Sequence, residues 1–238
     1  MPRLDVALTK SGLIESRQRA QALILAGKVQ VSGETERRPD RAVRDDDVIT
    51  VDEFPSFASR GALKLGPALD RFEVDPNGLI CADIGASTGG FTDVLLRRGA
   101  SKVFAIDVGR GLIHWRLRQD PRVVVIERVN ARDLGAFPEL VSLIVVDVSF
   151  ISLVKVLPAM RQAAPTAEVV ALFKPQFEVG RAEVGKGGIV REASVIEAAT
   201  LRFRTWCDAN GYAVAAEAAS EVAGAQGNRE IFFHLRPK

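Results

Sequence analysis

The chain has only two cysteines in 238 residues, Cys81 and Cys207, far apart and each inside an apolar pattern. That scarcity excludes a disulfide framework and points to reduced core thiols in a reducing compartment. The two histidines, His114 and His234, have no companions at ligand spacing, so no metal site is expected and both are read as structural. Neither sign of charge is in excess: 32 Lys and Arg face 30 Asp and Glu, a net charge of +2. Attraction for a polyanion must therefore come from where the cations sit. No long uninterrupted apolar run is present either. The most apolar stretch, LVSLIVVDVSFISLVKVLPAM, carries Asp147 and Lys155, each costing about 2.5 to 3.5 kcal/mol near a bilayer centre. The opening MPRLDVALTKSG lacks the basic head, apolar stretch and cleavage site of a signal peptide. A cytoplasmic protein without a membrane span is expected.

What is present is enough apolar residue for a sizeable core, 47% against 26% charged, and length for a large domain plus a small one. The first fifty or so residues read as two short helices and a hairpin-like sheet. Leu4, Val6, Ala7 and Leu8 form an apolar face, Ser16 caps RQRAQALILA, Gly27 closes that helix, and KVQVSG and DDDVITV supply strands. Arg3 in the first helix, and Arg17, Arg19 and Lys28 on or just after the second, are either a solvated face or contacts for an anionic partner. Pro55 in DEFPSFA breaks the pattern. We therefore expect a small α+β domain over 1–52, a linker over 53–59 and a large domain over 60–238.

The large domain opens with SRGALKLGPALDRF, a helix expected to place Leu63, Leu65, Ala68 and Leu69 on one side. From residue 79 buried strands alternate with helices: LICADIG, KVFAIDVG, VVVIERVN, SLIVVDVSF and EVVALFKP. Continuous apolar strands separated by helices indicate a parallel sheet covered on both faces. After a long helix from about 192 to 210, YAVAAEAASEV and REIFFHLRP follow with only a short glycine-containing turn expected between them. The expected fold class is α/β: a Rossmann-like fold of the methyltransferase type, with a seven-stranded, mostly parallel sheet ending in an antiparallel hairpin.

ADIGASTGGF, between the first strand and its helix, is the chemical landmark. Gly85, Gly89 and Gly90 let the backbone approach a ligand at a helix start. Ala86, Ser87, Thr88 and Phe91 complete the turn. The spacing is neither the dinucleotide fingerprint nor a P-loop, so a pyrophosphate is not indicated. Asp107, followed by Val108 at the next strand's end, suits a ribose diol, and Asp83 suits a cationic end. Ribose, ammonium and sulfonium together describe S-adenosylmethionine. Asn130 and Ala131, after the third strand, either border its adenine or form a polar strand-end loop.

Four ionisable residues stand where core or plain surface is otherwise expected. Asp147 ends the fourth strand, Lys174 ends the fifth, Glu230 begins the last, and Lys64 lies on the preceding helix. Ligands and reacting groups gather at the carboxyl edge of open α/β sheets.

RLDVALTKSGLIESRQRAQALILAGKVQVSGE resembles the S4 RNA-binding domain over residues 2–51. By that resemblance Arg17, Arg19 and Lys28 become phosphate contacts, which position without reading sequence. SRGALKL, DIGASTGGF, AIDVGRG, VVDVSFIS, FKPQFE and NREIF, in that order, resemble the TlyA (hemolysin A-like) family of RNA 2′-O-methyltransferases, related to FtsJ, across essentially the whole chain. The resemblance implies ribosomal RNA or ribosomal subunits as partner, cytidine as the nucleoside, S-adenosylmethionine as cofactor, and a Lys-Asp-Lys-Glu tetrad at Lys64, Asp147, Lys174 and Glu230. Lys174 is then the proton acceptor, Asp147 its aligning partner, and Lys64 and Glu230 hold the ribose. Arg3, Arg60, Arg181 and Lys186 join the expected RNA contacts, the last two in VGRAEVGKGGIVRE, a loop that either closes over RNA or is a mobile crossover. Two departures are visible: Ala62 where a glycine is expected, and no glutamine after the second glycine of DVGRGLIHW. An RNA-binding protein without catalysis, a membrane-active haemolysin and an oxidoreductase are the rival readings. The polar strand ends, the missing span and the missing dinucleotide fingerprint disfavour them in turn.

Overall fold

In the computed structural model the chain divides into two units, Met1–Ser56 and Phe57–Lys238. The structure describes every residue except 12, 15, 45, 52–58, 60, 225 and 226. Arg60 and most of the expected linker thus lie outside the described residues.

The first unit starts with α1 (Leu4–Lys10), for which Arg3 is the N-cap residue rather than a member of the helix. α2 (Arg17–Leu25) is capped by Ser16, whose side chain accepts the Arg19 N–H. Three short strands follow, β1 (Val29–Val31), β2 (Glu34–Glu36) and β3 (Ile49–Val51), with β1 central and both pairings antiparallel. Leu4, Leu8, Ile14, Ala20, Ile24, Val29, Val31 and Val43 make its core.

The second unit is a seven-stranded sheet. Its elements are α3 (Ala62–Phe72), β4 (Ile80–Ile84), α4 (Gly90–Arg97), β5 (Lys102–Asp107), α5 (Trp115–Arg118), β6 (Val123–Glu127), β7 (Leu143–Val146), α6 (Leu157–Ala163), β8 (Glu168–Phe173), α7 (Pro175–Glu178), α8 (Ala193–Ala209), β9 (Tyr212–Ala219) and β10 (Ile231–Pro237). The order is β6-β5-β4-β7-β8-β10-β9; the first five run parallel, and β10 is antiparallel to both its neighbours. Because side chains alternate across a strand, Cys81, Val103, Val145 and Leu172 face α3 and α4, while Ala82, Phe104, Ile144 and Phe173 face α6 and α8. The two cysteines are free, one in each layer, and burial pushes both thiols up to about 12.

Three further expectations need correction. Leu63 is half exposed, and α3 buries Leu65, Ala68, Leu69 and Phe72 instead, a spacing of three to four that keeps one stripe inward. The helix expected between KVFAIDVG and VVVIERVN is only the four residues of α5. Gly111 is left-handed, and the His114 N–H donates to Thr88 O, which lays 109–113 along the glycine turn as a loop. The last two strands are joined by eleven residues, not a short turn. Ser220 donates its hydroxyl to Val222 O, and the Gly224 N–H bonds to Asn228 O, so the chain leaves the ladder early.

Candidate active site

The carboxyl ends of five parallel strands lie along one edge, and the amino end of antiparallel β10 joins them. Ile231 pairs with Phe173, so Glu230 and Lys174, each one residue beyond that pair, meet at the same edge.

At the end of β4 the Asp83 carboxylate is fully buried. Its Oδ2 accepts the Thr92 N–H at 2.8 Å and the Thr92 hydroxyl at 2.7 Å, while Oδ1 has no hydrogen-bond partner. Burial above all, with the charges of Asp147 and Asp107 adding to it, raises the carboxyl to about 7. An acid kept so close to neutrality, with one oxygen unpaired, suits an incoming cation. Gly85 follows with φ +83°, and a Cβ there would meet the Asp147 carbonyl oxygen at 2.5 Å. Only glycine lets this turn touch the loop after β7.

Asp107, ending β5, accepts the Ser87 N–H at 2.8 Å and the Gly109 N–H at 2.7 Å. It therefore laces two strand-end turns together while facing a cavity of about 550 Å³ lined by Gly85, Ser87, Val108, Asn130, Ala131, Asp147 and Phe150 among others. Asn130 caps the short turn of helix Ala131–Asp133 by accepting the Arg132 N–H. A second cavity of about 450 Å³ shares Gly85, Ser87 and Asp147 with the first, and adds Asp83, Ala86, Thr88, Gly90, Phe91, Ser59 and Lys64. Their size suits a nucleoside-bearing cofactor, and the orphan carboxylate oxygen, the glycine cradle and the acidic ribose-sized corner fit S-adenosylmethionine.

The four ionisable residues form two pairs. Lys64 Nζ donates to Glu230 Oε2 at 2.6 Å. Lys174 Nζ lies 2.6 Å from Asp147 Oδ1, at an angle too sharp for a hydrogen bond, and donates to Ser149 Oγ at 2.9 Å. Lys64 and Asp147 line the second cavity, and Lys174 and Glu230, both nearly buried, stand behind them.

Several residues that the sequence reading passed over shape this edge. Ser149 shares the Lys174 ammonium. Gly224 leaves room for Glu230, because a Cβ there would fall 2.1 Å from its Oε1. Glu178 accepts the Ser152 hydroxyl at 2.5 Å and the Leu153 N–H at 2.8 Å, tying the loop after β7 to α7, and burial raises its carboxyl. Phe150 has φ +64° and is 90% exposed, its ring 5.1 Å from that of Phe177. Such an exposed aromatic in a strained backbone is a functional signal, and no periodicity in the sequence announces it.

The expected RNA contacts fall in both units. Arg3, Arg17 and Arg19 are exposed and Lys28 is half-buried in the first. Arg181 and Lys186 are exposed in the second, on a loop held by Asn228, whose Oδ1 accepts the Val190 N–H at 3.0 Å and whose Nδ2 donates to Gly188 O at 2.9 Å. Among the described residues no cluster of three His, Cys, Asp or Glu could hold a metal, and no helix is long and apolar enough to cross a membrane.

The family model for FtsJ-like methyltransferases matches residues 57–237, and that for the S4 domain matches residues 2–49. A Mycobacterium tuberculosis protein named 16S/23S rRNA (cytidine-2′-O)-methyltransferase TlyA is 46% identical, covering 98% of this chain and 89% of its own length. Hemolysin A of Brachyspira hyodysenteriae is 41% identical, with 98% and 99% covered. A solved structure of a hemolysin-named protein from Streptococcus thermophilus superposes with a TM-score of 0.75 at 40% identity, covering 99% of this chain and 88% of that one.

Proposed function

We propose, since the chain belongs to the FtsJ-like methyltransferase family and carries an S4 domain ahead of that region, that this S-adenosylmethionine-dependent enzyme methylates a cytidine ribose 2′-oxygen in ribosomal RNA. The name of the Mycobacterium tuberculosis relative supports that substrate. The observation that carries the reading is the Lys174–Asp147 pair beside a cavity that Lys64 shares.

When bound, S-adenosylmethionine supplies an electrophilic methyl group on its sulfonium. The unpaired Oδ1 of Asp83 would hold the cofactor's ammonium, Asp107 its ribose diol, and Val108, Asn130 and Ala131 would border its adenine. The turn from Gly85 to Phe91 supplies the backbone cradle. A ribose 2′-hydroxyl is a weak nucleophile until its proton is removed or shared. In its neutral amine form Lys174 Nζ takes that proton and becomes the ammonium, Asp147 and Ser149 fix the Nζ position, and the Lys64–Glu230 pair holds the ribose in line. Alignment supplies much of the acceleration, with no covalent intermediate. Phe150 offers a ring face on which an unstacked base can rest. Residues 1–52 dock the RNA, 53–59 link, and 60–238 carry the chemistry. Arg181 and Lys186 add phosphate contacts beside the reacting edge.

The test is methyl transfer from labelled S-adenosylmethionine to ribosomal RNA, free and in subunits, by the native chain and Lys174→Ala. Label on a cytidine 2′-oxygen that vanishes in the variant, with cofactor binding retained, is expected. Label on a base, or undiminished transfer by the variant, would overturn the assignment.

A further inference from the structure

Asp5 lies in the first turn of α1 and is fully buried, in a unit whose core is eight small or medium apolar residues. Four hydrogen bonds reach its carboxylate. Arg3 donates from Nε to Oδ1 at 3.1 Å and from a terminal nitrogen to Oδ2 at 3.3 Å. Arg17 donates from Nε to Oδ2 at 2.9 Å, and Gln21 from Nε2 to the same oxygen at 2.7 Å. Burial opposes ionisation, yet the bonds from Gln21, Arg3 and Arg17 outweigh it and hold the carboxyl well below the usual carboxylate range. The backbone pins the spot: the Leu4 N–H donates to Arg41 O at 2.8 Å and the Asp5 N–H to Pro39 O at 3.1 Å.

A buried ion cluster is a weak device for stability, since apolar residues of similar volume commonly do as well or better. Its geometry offers another reason. The Arg3 and Arg17 side chains are 48% and 55% exposed while Asp5 is not exposed at all. Arg3 commits two of its five N–H groups to the carboxylate and Arg17 only one, so each keeps donors for an outside acceptor. Two long side chains that would otherwise lose rotamer freedom on binding are already held.

We propose that Arg3, Arg17 and Asp5 form one phosphate clamp, in which the buried carboxylate is a positioning residue that sets both guanidinium groups for a backbone phosphate of the RNA. The inference rests on the RNA reading above and adds a residue of the sign opposite to the arginines'. Asp5 works through the two arginines and touches no substrate.

The test uses the full chain and measures binding to free ribosomal RNA and to isolated ribosomal subunits across a salt series, with methyl-transfer kinetics alongside. Asp5→Asn makes the protein more positive, so a purely electrostatic role predicts tighter binding. The clamp predicts binding about tenfold weaker and a log–log salt slope shallower by about 0.7 to 0.9 for each phosphate no longer neutralised. KM for RNA rises with kcat and cofactor affinity unchanged. Gln21→Met, which removes only the neutral donor, keeps RNA affinity near native. Arg17→Lys preserves charge but offers one nitrogen in place of three; it weakens RNA binding comparably, and it decides the matter if Asp5→Asn does not fold. Native or tighter affinity for Asp5→Asn or Arg17→Lys overturns the clamp, as does a loss in Gln21→Met as large as in Asp5→Asn. Failure of the native chain to bind either RNA form overturns the RNA reading itself, a result separable from the variant comparisons.

Discussion

Replacing Asp83 by Asn tests the cofactor site with little change of shape. The asparagine oxygen can still accept both Thr92 donors, so the link to α4 survives and only the cavity-facing atom changes, from acceptor to donor. In the native chain the folded carboxyl titrates at about 7, whereas the unfolded one titrates near the ordinary 3.9 or so. The neutral form's contribution to stability is complete below about pH 4 and is lost as pH rises through 7. At about pH 8 the loss approaches roughly 4 kcal/mol, and asparagine escapes it. An unpaired amide in the same buried place costs about 1 to 3 kcal/mol, leaving the variant more stable than the native chain by about 1 to 3 kcal/mol at pH 8, with the difference shrinking toward pH 5. Cofactor affinity moves the other way. Loss of a charge-assisted bond worth about 1.5 to 3 kcal/mol weakens S-adenosylmethionine at least about tenfold. Denaturant unfolding without cofactor at both pH values, with calorimetric titration of S-adenosylmethionine, reads both effects. A variant no more stable at pH 8, or a gain independent of pH, would refute a strained carboxylate. Unchanged affinity would remove Asp83 from the cofactor site.

Native affinity for S-adenosylmethionine should also fall about tenfold for each pH unit below 7, as Asp83 takes up its proton, and a pH-flat titration would argue against that site. Gly85→Ala puts a methyl at a left-handed position 2.5 Å from the Asp147 carbonyl oxygen; a destabilisation of about 2 kcal/mol or more with loss of cofactor binding is expected by thermal unfolding and titration. Glu230→Ala leaves the nearly buried Lys64 ammonium unpaired and should destabilise by about 3 kcal/mol as well as suppress methyl transfer. Glu217→Ala breaks the exposed pair with Arg204 and should cost less than about 1 kcal/mol, so equal effects in chemical unfolding would contradict this ranking. Asn228→Ala removes two bonds to the loop carrying Lys186; faster tryptic cleavage after Lys186 is expected, and an unchanged digestion rate would show that the loop is held by other means.

Much of this was legible in the chain. Apolar runs such as LICAD and SLIVV announce buried parallel strands because both faces of such a strand meet helices. Ser16 and Gly27 mark the ends of α2 because one supplies an acceptor and the other tolerates a left-handed backbone. Asp147 and Lys174 stand out as charges at the ends of apolar strands. The early end of β9, the shortened α5 and the exposed Phe150 were not legible. The first follows from bonds within the connecting loop, the second from the His114 N–H on Thr88 O, and the third is a left-handed backbone angle that hydrophobic periodicity does not report.

The sequence by itself determined most of the strands and helices, the glycine turn and the identity of the ionisable residues, because these follow from local periodicity and backbone chemistry. Tertiary structure alone decided how those residues pair. Inserting β10 antiparallel beside β8 carries the amino end of the last strand to the carboxyl edge of the others, so Glu230 meets Lys64 across 166 positions of chain. The folding of α1 against α2 likewise brings Asp5 to Arg17 and Gln21. Pairings between segments far apart along the chain depend on packing and strand direction, which no local window of residues encodes.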